Sequence, residues 1–232
     1  AVTDVDGSEK ERLLGSKSKT WIVNVEATKY IVEACRESGK RLLFVSTDFV
    51  FDGSKDTYTE EDIPNPQGWY AVTKYEAEKK VATLGSHSLI VRIAFPYCGV
   101  NHTKKDFLHR MLEVLRSGKE LYAPSDQIFV PTFIDDIAFA LQILIDQNAY
   151  GIYHIVGSEG LSPFGAGQKL AKALGFPTER VKPTTFARFY EERSFRPFHA
   201  FLSNVKITKF GVCMSTFDEG LEKIKIQLGQ LA

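Results

Sequence analysis

Short apolar runs alternate with helical patterns along this chain, and that alternation narrows its fold more than any other feature. Residues 41–46 (Arg-Leu-Leu-Phe-Val-Ser) and 88–93 (Ser-Leu-Ile-Val-Arg-Ile) are nearly continuous apolar stretches. Such runs read as strands buried on both faces of a sheet. Residues 151–156 give a further strand, and 120–122 and 128–130 also read as extended. Between them lie apolar residues at helical spacing. Residues 20–35 carry Ile22, Val23, Ala27, Tyr30, Ile31 and Ala34 on that period, with Gly39 where a helix stop belongs. Residues 70–84, 105–116 and 134–145 predict further helices, the last capped by Thr132, Asp135 or Asp136. Ser162-Pro163 opens another helix, which Gly175 closes, and an amphipathic helix covers 216–228. Strands alternating with helices imply a parallel α/β sheet. Such sheets bind ligands at the carboxyl ends of their strands, so chemistry is expected just after Ser46 and just after Ile93.

Bulk properties remove several function classes. The 232 residues can bury a substantial core. Their 29 basic and 29 acidic side chains cancel, which argues against nucleic-acid and membrane-surface binding. No apolar run is long enough to cross a bilayer, and residues 1–19 show no signal-peptide pattern. Cys35, Cys98 and Cys213 form no C-x-x-C pair and read as reduced thiols of a cytoplasmic protein, with Cys35 packed in a core. His154 reads as a buried, hydrogen-bonded strand residue. His87, His102, His109 and His199 lack metal-ligand spacing, so no metal is expected. Residues 52–68, punctuated by Gly53, Pro64, Pro66 and Gly68, form a long loop of the kind that tends to serve function.

Two elements carry chemistry. Tyr70 and Lys74 stand four apart on a predicted helix and share a face. An ammonium beside a phenol stabilises phenolate and lowers its pKa from about 10, which suits proton exchange with an alcohol or ketone. Ser46 and Thr47 place hydroxyls at a strand end, where they can polarise a substrate carbonyl. Each element alone is common; together, at loop distance, they are much more specific. Asp135 and Asp136 resemble an acid/base pair, but their place at a helix start favours capping and dipole stabilisation.

Several segments then carry a family likeness: residues 1–6, 23–28, Ser46-Thr-Asp-Phe-Val-Phe-Asp-Gly53, 89–97, 126–132 with Asp135-Asp136, and Arg196-Pro197 with 202–206. With Tyr70-Ala-Val-Thr-Lys74, they make the chain resemble the extended short-chain dehydrogenase/reductases, and within these the dTDP-4-dehydrorhamnose reductase family most. The resemblance implies a Rossmann-like doubly wound parallel sheet, incomplete at the amino end, with a small carboxyl-terminal substrate domain. Residues 1–100 and 133–157 would belong to the first, and 101–132 and 158–232 mainly to the second. It also implies an NADP or NAD cofactor and reduction of a 4-keto nucleotide sugar. Tyr70 would be the proton donor and Thr47 would hydrogen-bond the reacting oxygen. Lys74 would hold the nicotinamide ribose and depress the tyrosine pKa. Ser46, Asn24 and Phe95 would lie on the cofactor side, and Asp48, Gln127 and Arg196 would contact the substrate. A helix kink accounts equally well for Asn24, and a surface ion pair for Arg196; Phe95 and Pro96 would also suit a core.

The superfamily opens with a strand, a Gly-x-x-Gly-x-x-Gly turn and a helix that receives the cofactor's pyrophosphate. This sequence holds no such turn, and about two βαβ units, roughly 60 residues, are expected ahead of Ala1. Related dehydratases place Asp-Glu after the threonine, whereas here Asp48 is followed by Phe49. An epimerase on the same scaffold stays open. So does a regulatory subunit resembling the methionine adenosyltransferase beta subunit, for which the Phe- and Arg-rich stretch 186–201 would supply a protein contact. A homodimer through helices beside the Tyr-Lys helix is the other expected partnership.

Overall fold

The computed structural model describes residues 1–100 and 105–229, the side chain of residue 228 excepted, so His102 lies outside the described residues. The strands are β1 (Leu42–Thr47), β2 (Ser88–Ile93), β3 (Pro96–Tyr97), β4 (Leu121–Pro124), β5 (Thr132–Phe133), β6 (Gly151–His154) and β7 (Val181–Thr184). They form a parallel sheet in the order β1-β2-β6 and two parallel pairs, β3-β5 and β4-β7. The parallel α/β expectation holds.

β2 runs through the centre of its sheet and is buried on both faces, as its apolar run predicts. On one face Leu89 and Val91 pack against Ile137, Ala140 and Leu144 of the helix Ile134–Asp146. On the other, Ile90 packs against Val32 and Val81. Helices therefore cover both faces. β1 departs from expectation: it is an edge strand among the described residues, and Val45 is 43% exposed. A separate core gathers Leu121 of β4 and Val181 of β7 with Leu112, Leu170 and Phe217 from the helices Phe107–Arg116, Pro163–Ala173 and Phe217–Gly229.

Arg92 is the one charge in β2. Its guanidinium forks onto Glu78 of the helix Trp69–Ala82, with Nε–Oε1 at 3.0 Å and Nη2–Oε2 at 2.7 Å. The two side chains are 1% and 3% exposed. A charge can stay in a sheet interior only when it is paired in this way.

Two local expectations change. The helix predicted over 20–35 begins at Lys19 under a cap from Ser18, passes through a π turn at Ile22–Glu26, and continues as Ala27–Ser38 to Gly39 at φ 64°. The wider π turn rotates the faces that follow it. Asn24, Val25, Thr28 and Val32 are buried, while Ile22, Tyr30 and Ile31 are exposed and Cys35 is only half-buried. The helix Ile134–Asp146 has Phe133 at its N-cap and no side-chain cap. Thr132 instead accepts from the Gly157 N–H at 3.1 Å, and Asp136 accepts from Ser215 N and Lys223 Nζ. Asp135 and Asp136 keep the first-turn position that suits the helix dipole.

Candidate active site

The chain leaves β1 through a one-turn helix, Asp48–Val50, whose cap is Thr47. The Thr47 hydroxyl accepts from Phe49 N at 3.3 Å and donates to Asp48 Oδ1 at 3.0 Å. After the long loop, Trp69–Ala82 carries Tyr70 and Lys74 back across the end of β1. Gly53 fixes the loop's start. It adopts φ +77°, and a Cβ there would meet the Phe198 backbone nitrogen at 2.6 Å.

Ser46, Thr47, Asp48, Tyr70, Lys74 and Phe95 line one cavity of about 560 Å³. A second cavity of about 510 Å³ shares Val5, Phe49, Phe95, Phe107 and Arg110 with it and reaches Gln127 and Arg196. The strand-end hydroxyl, the phenol and the ammonium thus meet in one cleft, with a mostly apolar second chamber beside them.

Phe95 stands where the chambers join. Its φ of +39° is strained for an aromatic residue. Its carbonyl accepts from Thr132 N at 3.2 Å, and its ring lies edge-on to Phe129 at 4.8 Å between centroids. Backbone strain of this kind collects at functional sites.

The electrostatics differ from the expectation drawn from spacing. Lys74 does not lower the Tyr70 pKa. Its Nζ donates to the Val45 carbonyl at 2.6 Å and lies 4.1 Å from the Phe44 ring centre. Burial pushes the Tyr70 phenol up to about 12, against the pull of the Thr47 hydroxyl, and the Asp48 charge adds to the rise. The phenol therefore keeps its proton at neutral pH. Burial also pulls Lys74 down to about 8, opposed by Glu78.

Asp48 is buried, and one of its oxygens has no hydrogen-bond partner among the described residues. Burial raises its pKa from 3.8 to about 7, against the Thr47 hydroxyl bond. The folded state thus binds this proton more tightly than the unfolded chain. Its stabilising effect is complete at low pH and is lost as pH rises from the ordinary value toward 7. Asp48→Asn is expected to flatten that slope and stabilise the protein at pH 8 by on the order of 2 kcal/mol. Thermal melts at pH 4 and pH 8 check this: the gain should appear only at the higher pH.

The other expected site residues divide between the two chambers and their surroundings. Ser46 is buried in the first chamber, and its hydroxyl has no partner among the described residues. Asp48 faces that chamber rather than the second one. Gln127 lines the second chamber, donating to the Pro197 carbonyl at 3.2 Å while its own carbonyl has no partner among the described residues. Arg196 lines it too, and is ion-paired with Asp6. Asn24 lines neither chamber. It grips both backbone groups of Val2 and donates to Thr73 Oγ1 at 3.0 Å from within the π turn, which fits the kink explanation. His154 is buried as expected, and burial takes its pKa down to about 3, opposed by a hydrogen bond to the Ser203 backbone. The aromatic stretch turns inward at Phe189, Tyr190 and Arg193, which wall the second chamber. Among the described residues no group of His, Cys, Asp or Glu is arranged to hold a metal. Sequence reasoning missed Phe49, Phe107 and Arg110, which border both chambers, because only tertiary packing brings them there.

The sequence profile of the RmlD substrate binding domain matches residues 1–228. The chain belongs to that family. A dTDP-4-dehydrorhamnose reductase of Mycobacterium tuberculosis is 32% identical over 195 residues, covering 82% of this chain and 62% of that relative. The chain thus spans under two thirds of that relative's length. The Bos taurus methionine adenosyltransferase 2 subunit beta is 29% identical over 169 residues, covering 70% of this chain and 51% of that protein. The crystal structure of the Bacillus anthracis dTDP-4-dehydrorhamnose reductase in complex with NADP superposes with a TM-score of 0.87 at 27% identity, covering 98% of this chain and 78% of that one. The family's Rossmann-like α/β architecture is therefore present here.

Proposed function

We propose that the protein reduces the 4-keto group of a nucleotide sugar with NADPH, and that Tyr70 donates the proton. The observation that carries this reading is the meeting of Thr47, Tyr70 and Lys74 in one chamber, open to a second chamber of substrate size. The first chamber suits a nicotinamide nucleoside. It offers a buried hydroxyl at Ser46 with no partner among the described residues, an ammonium at Lys74, and an apolar wall at Ile93, Phe95 and Pro96. When bound, the nicotinamide supplies the hydride. Lys74 and Ser46 are the groups to hold its ribose and carboxamide, and Phe95 and Phe107 exclude water from the junction. Thr47 hydrogen-bonds the ketone oxygen, and Tyr70, kept protonated by burial, releases its proton to that oxygen. The choice of NADPH over NADH is supported by the Bacillus anthracis structure, which is a complex with NADP.

The test follows NADPH absorbance as a dTDP-4-keto-6-deoxy sugar is added to the protein. Stoichiometric oxidation is expected. Conversion without net NADPH loss would point to an epimerase, which returns its cofactor.

The second reading is a regulatory subunit, favoured by the likeness to the bovine beta subunit. Tight partner binding without turnover would support it. A homodimer is a further assembly that we propose, through exposed Tyr30 and Ile31 on the helix packed beside the tyrosine helix. Sedimentation that returns a monomer mass at micromolar concentration would contradict it.

A further inference from the structure

The short helix Val5–Lys10 holds no reacting group, yet its carboxylates reach both halves of the site. Asp6 grips Arg196 with both oxygens, Nη1–Oδ1 at 2.5 Å and Nη2–Oδ2 at 2.8 Å. Ser194 closes the ring: its N–H donates to Asp6 Oδ1 at 2.9 Å, and its carbonyl accepts from Arg196 Nη1 at 2.6 Å. The guanidinium lies 5.4 Å from the Tyr190 ring centre, and the arginine side chain is only 11% exposed. A guanidinium held by a bidentate carboxylate and an aromatic face has a fixed plane. Arg196 lines the second chamber and Asp6 lines neither, so Asp6 acts through the arginine.

Three residues on, along the same helical face, Glu9 does the equivalent for the proton donor. Its Oε2 accepts from Trp69 N at 2.6 Å, at the first residue of the tyrosine helix, where Gly68 offers no side-chain cap. Its Oε1 is held by Arg12 Nη1 at 2.6 Å, and Arg12 Nη2 donates to the Gln67 carbonyl at 2.9 Å. Glu9 therefore fixes the turn that carries Tyr70, the residue after Trp69.

We propose that Val5–Lys10 is a positioning bracket, in which Asp6 sets the substrate-side arginine, Glu9 sets the proton-donating tyrosine, and one helical turn fixes their separation. This rests on the reduction proposed above. Asp6 then governs how well substrate is held, and Glu9 governs how well the held substrate reacts.

The test is steady-state kinetics of the protein with NADPH and a dTDP-4-keto-6-deoxy sugar. Asp6→Ala should raise KM at least about tenfold with kcat little changed, and Glu9→Ala should lower kcat at least about tenfold with KM little changed. Glu9→Gln keeps an acceptor for Trp69 N and should restore most of the rate. Arg196→Lys keeps the charge but loses the fork and should show the same rise in KM, so it carries the test if Asp6→Ala fails to fold. The bracket is overturned if kcat and KM move together in both variants, if neither moves, or if Glu9→Gln behaves like Glu9→Ala. Calorimetric titration with thymidine diphosphate separates this outcome from failure of the reduction. Without any turnover, Asp6→Ala and Arg196→Lys must still lose affinity in parallel, and unchanged affinity in either sinks the bracket.

Discussion

Tyr70→Phe is expected to lower kcat by about 10²- to 10⁴-fold, the range for losing a positioned general acid, while the melting temperature and ligand affinity stay close to those of the wild type. The substitution removes only the phenol oxygen. The ring keeps its edge contact with Phe49 at 6.1 Å between centroids, and the helix keeps its tie to Glu9. Stability should change by no more than about 1 kcal/mol, because the hydroxyl removed is itself partly desolvated. Stopped-flow NADPH oxidation under single-turnover conditions, alongside a thermal melt, separates the two effects. A Phe variant that turns over within about threefold of the wild type would remove Tyr70 from the proton-donor role.

The largest stability effect is expected at Arg92 and Glu78. Truncating either one to Ala leaves an unpaired charge in the sheet interior and should cost about 3–5 kcal/mol. Both are almost fully buried, and one guanidinium nitrogen of Arg92 already lacks a partner among the described residues. Removing both charges at once, as Arg92→Met with Glu78→Leu, should recover most of that loss, since the desolvation cost goes with them. The pair also bears on the proposed catalysis. Glu78 lies two turns after Tyr70, and Arg92 precedes Ile93 of the chamber wall, so the fork anchors the tyrosine helix to β2. Urea unfolding of the two single variants and the double variant checks the cycle. Single losses below about 1 kcal/mol would show that water reaches the pair.

The meeting of the candidate site residues could be read in the sequence because it is local. Thr47 ends one strand, and Tyr70 and Lys74 share the helix that follows after one long loop, while the apolar run of β2 marks a central strand by itself. The structure departs where distant contacts decide. The π turn at Ile22–Glu26 moved the buried face of its helix, and no periodicity in residues 20–35 announces an extra residue in the turn. Lys74 meets the Val45 carbonyl rather than the phenol, because four-residue spacing puts side chains on one face without bringing them into contact. The Tyr70 pKa follows burial, which the whole fold sets. Arg196 and Asp6 are 190 residues apart, so sequence could offer either a substrate contact or an ion pair. The structure places Arg196 on the chamber wall and in an ion pair at once.

The central claim is a hydride and proton delivered to one carbonyl beside Thr47 and Tyr70. Incubation of the protein with 4-deuterated NADPH and a dTDP-4-keto-6-deoxy sugar, followed by NMR of the product, tests it most directly. Deuterium should appear at the sugar C4, at a rate that collapses in Tyr70→Phe. Recovery of unlabelled ketone from the wild type, or equal labelling by the Phe variant at the same rate, would contradict it.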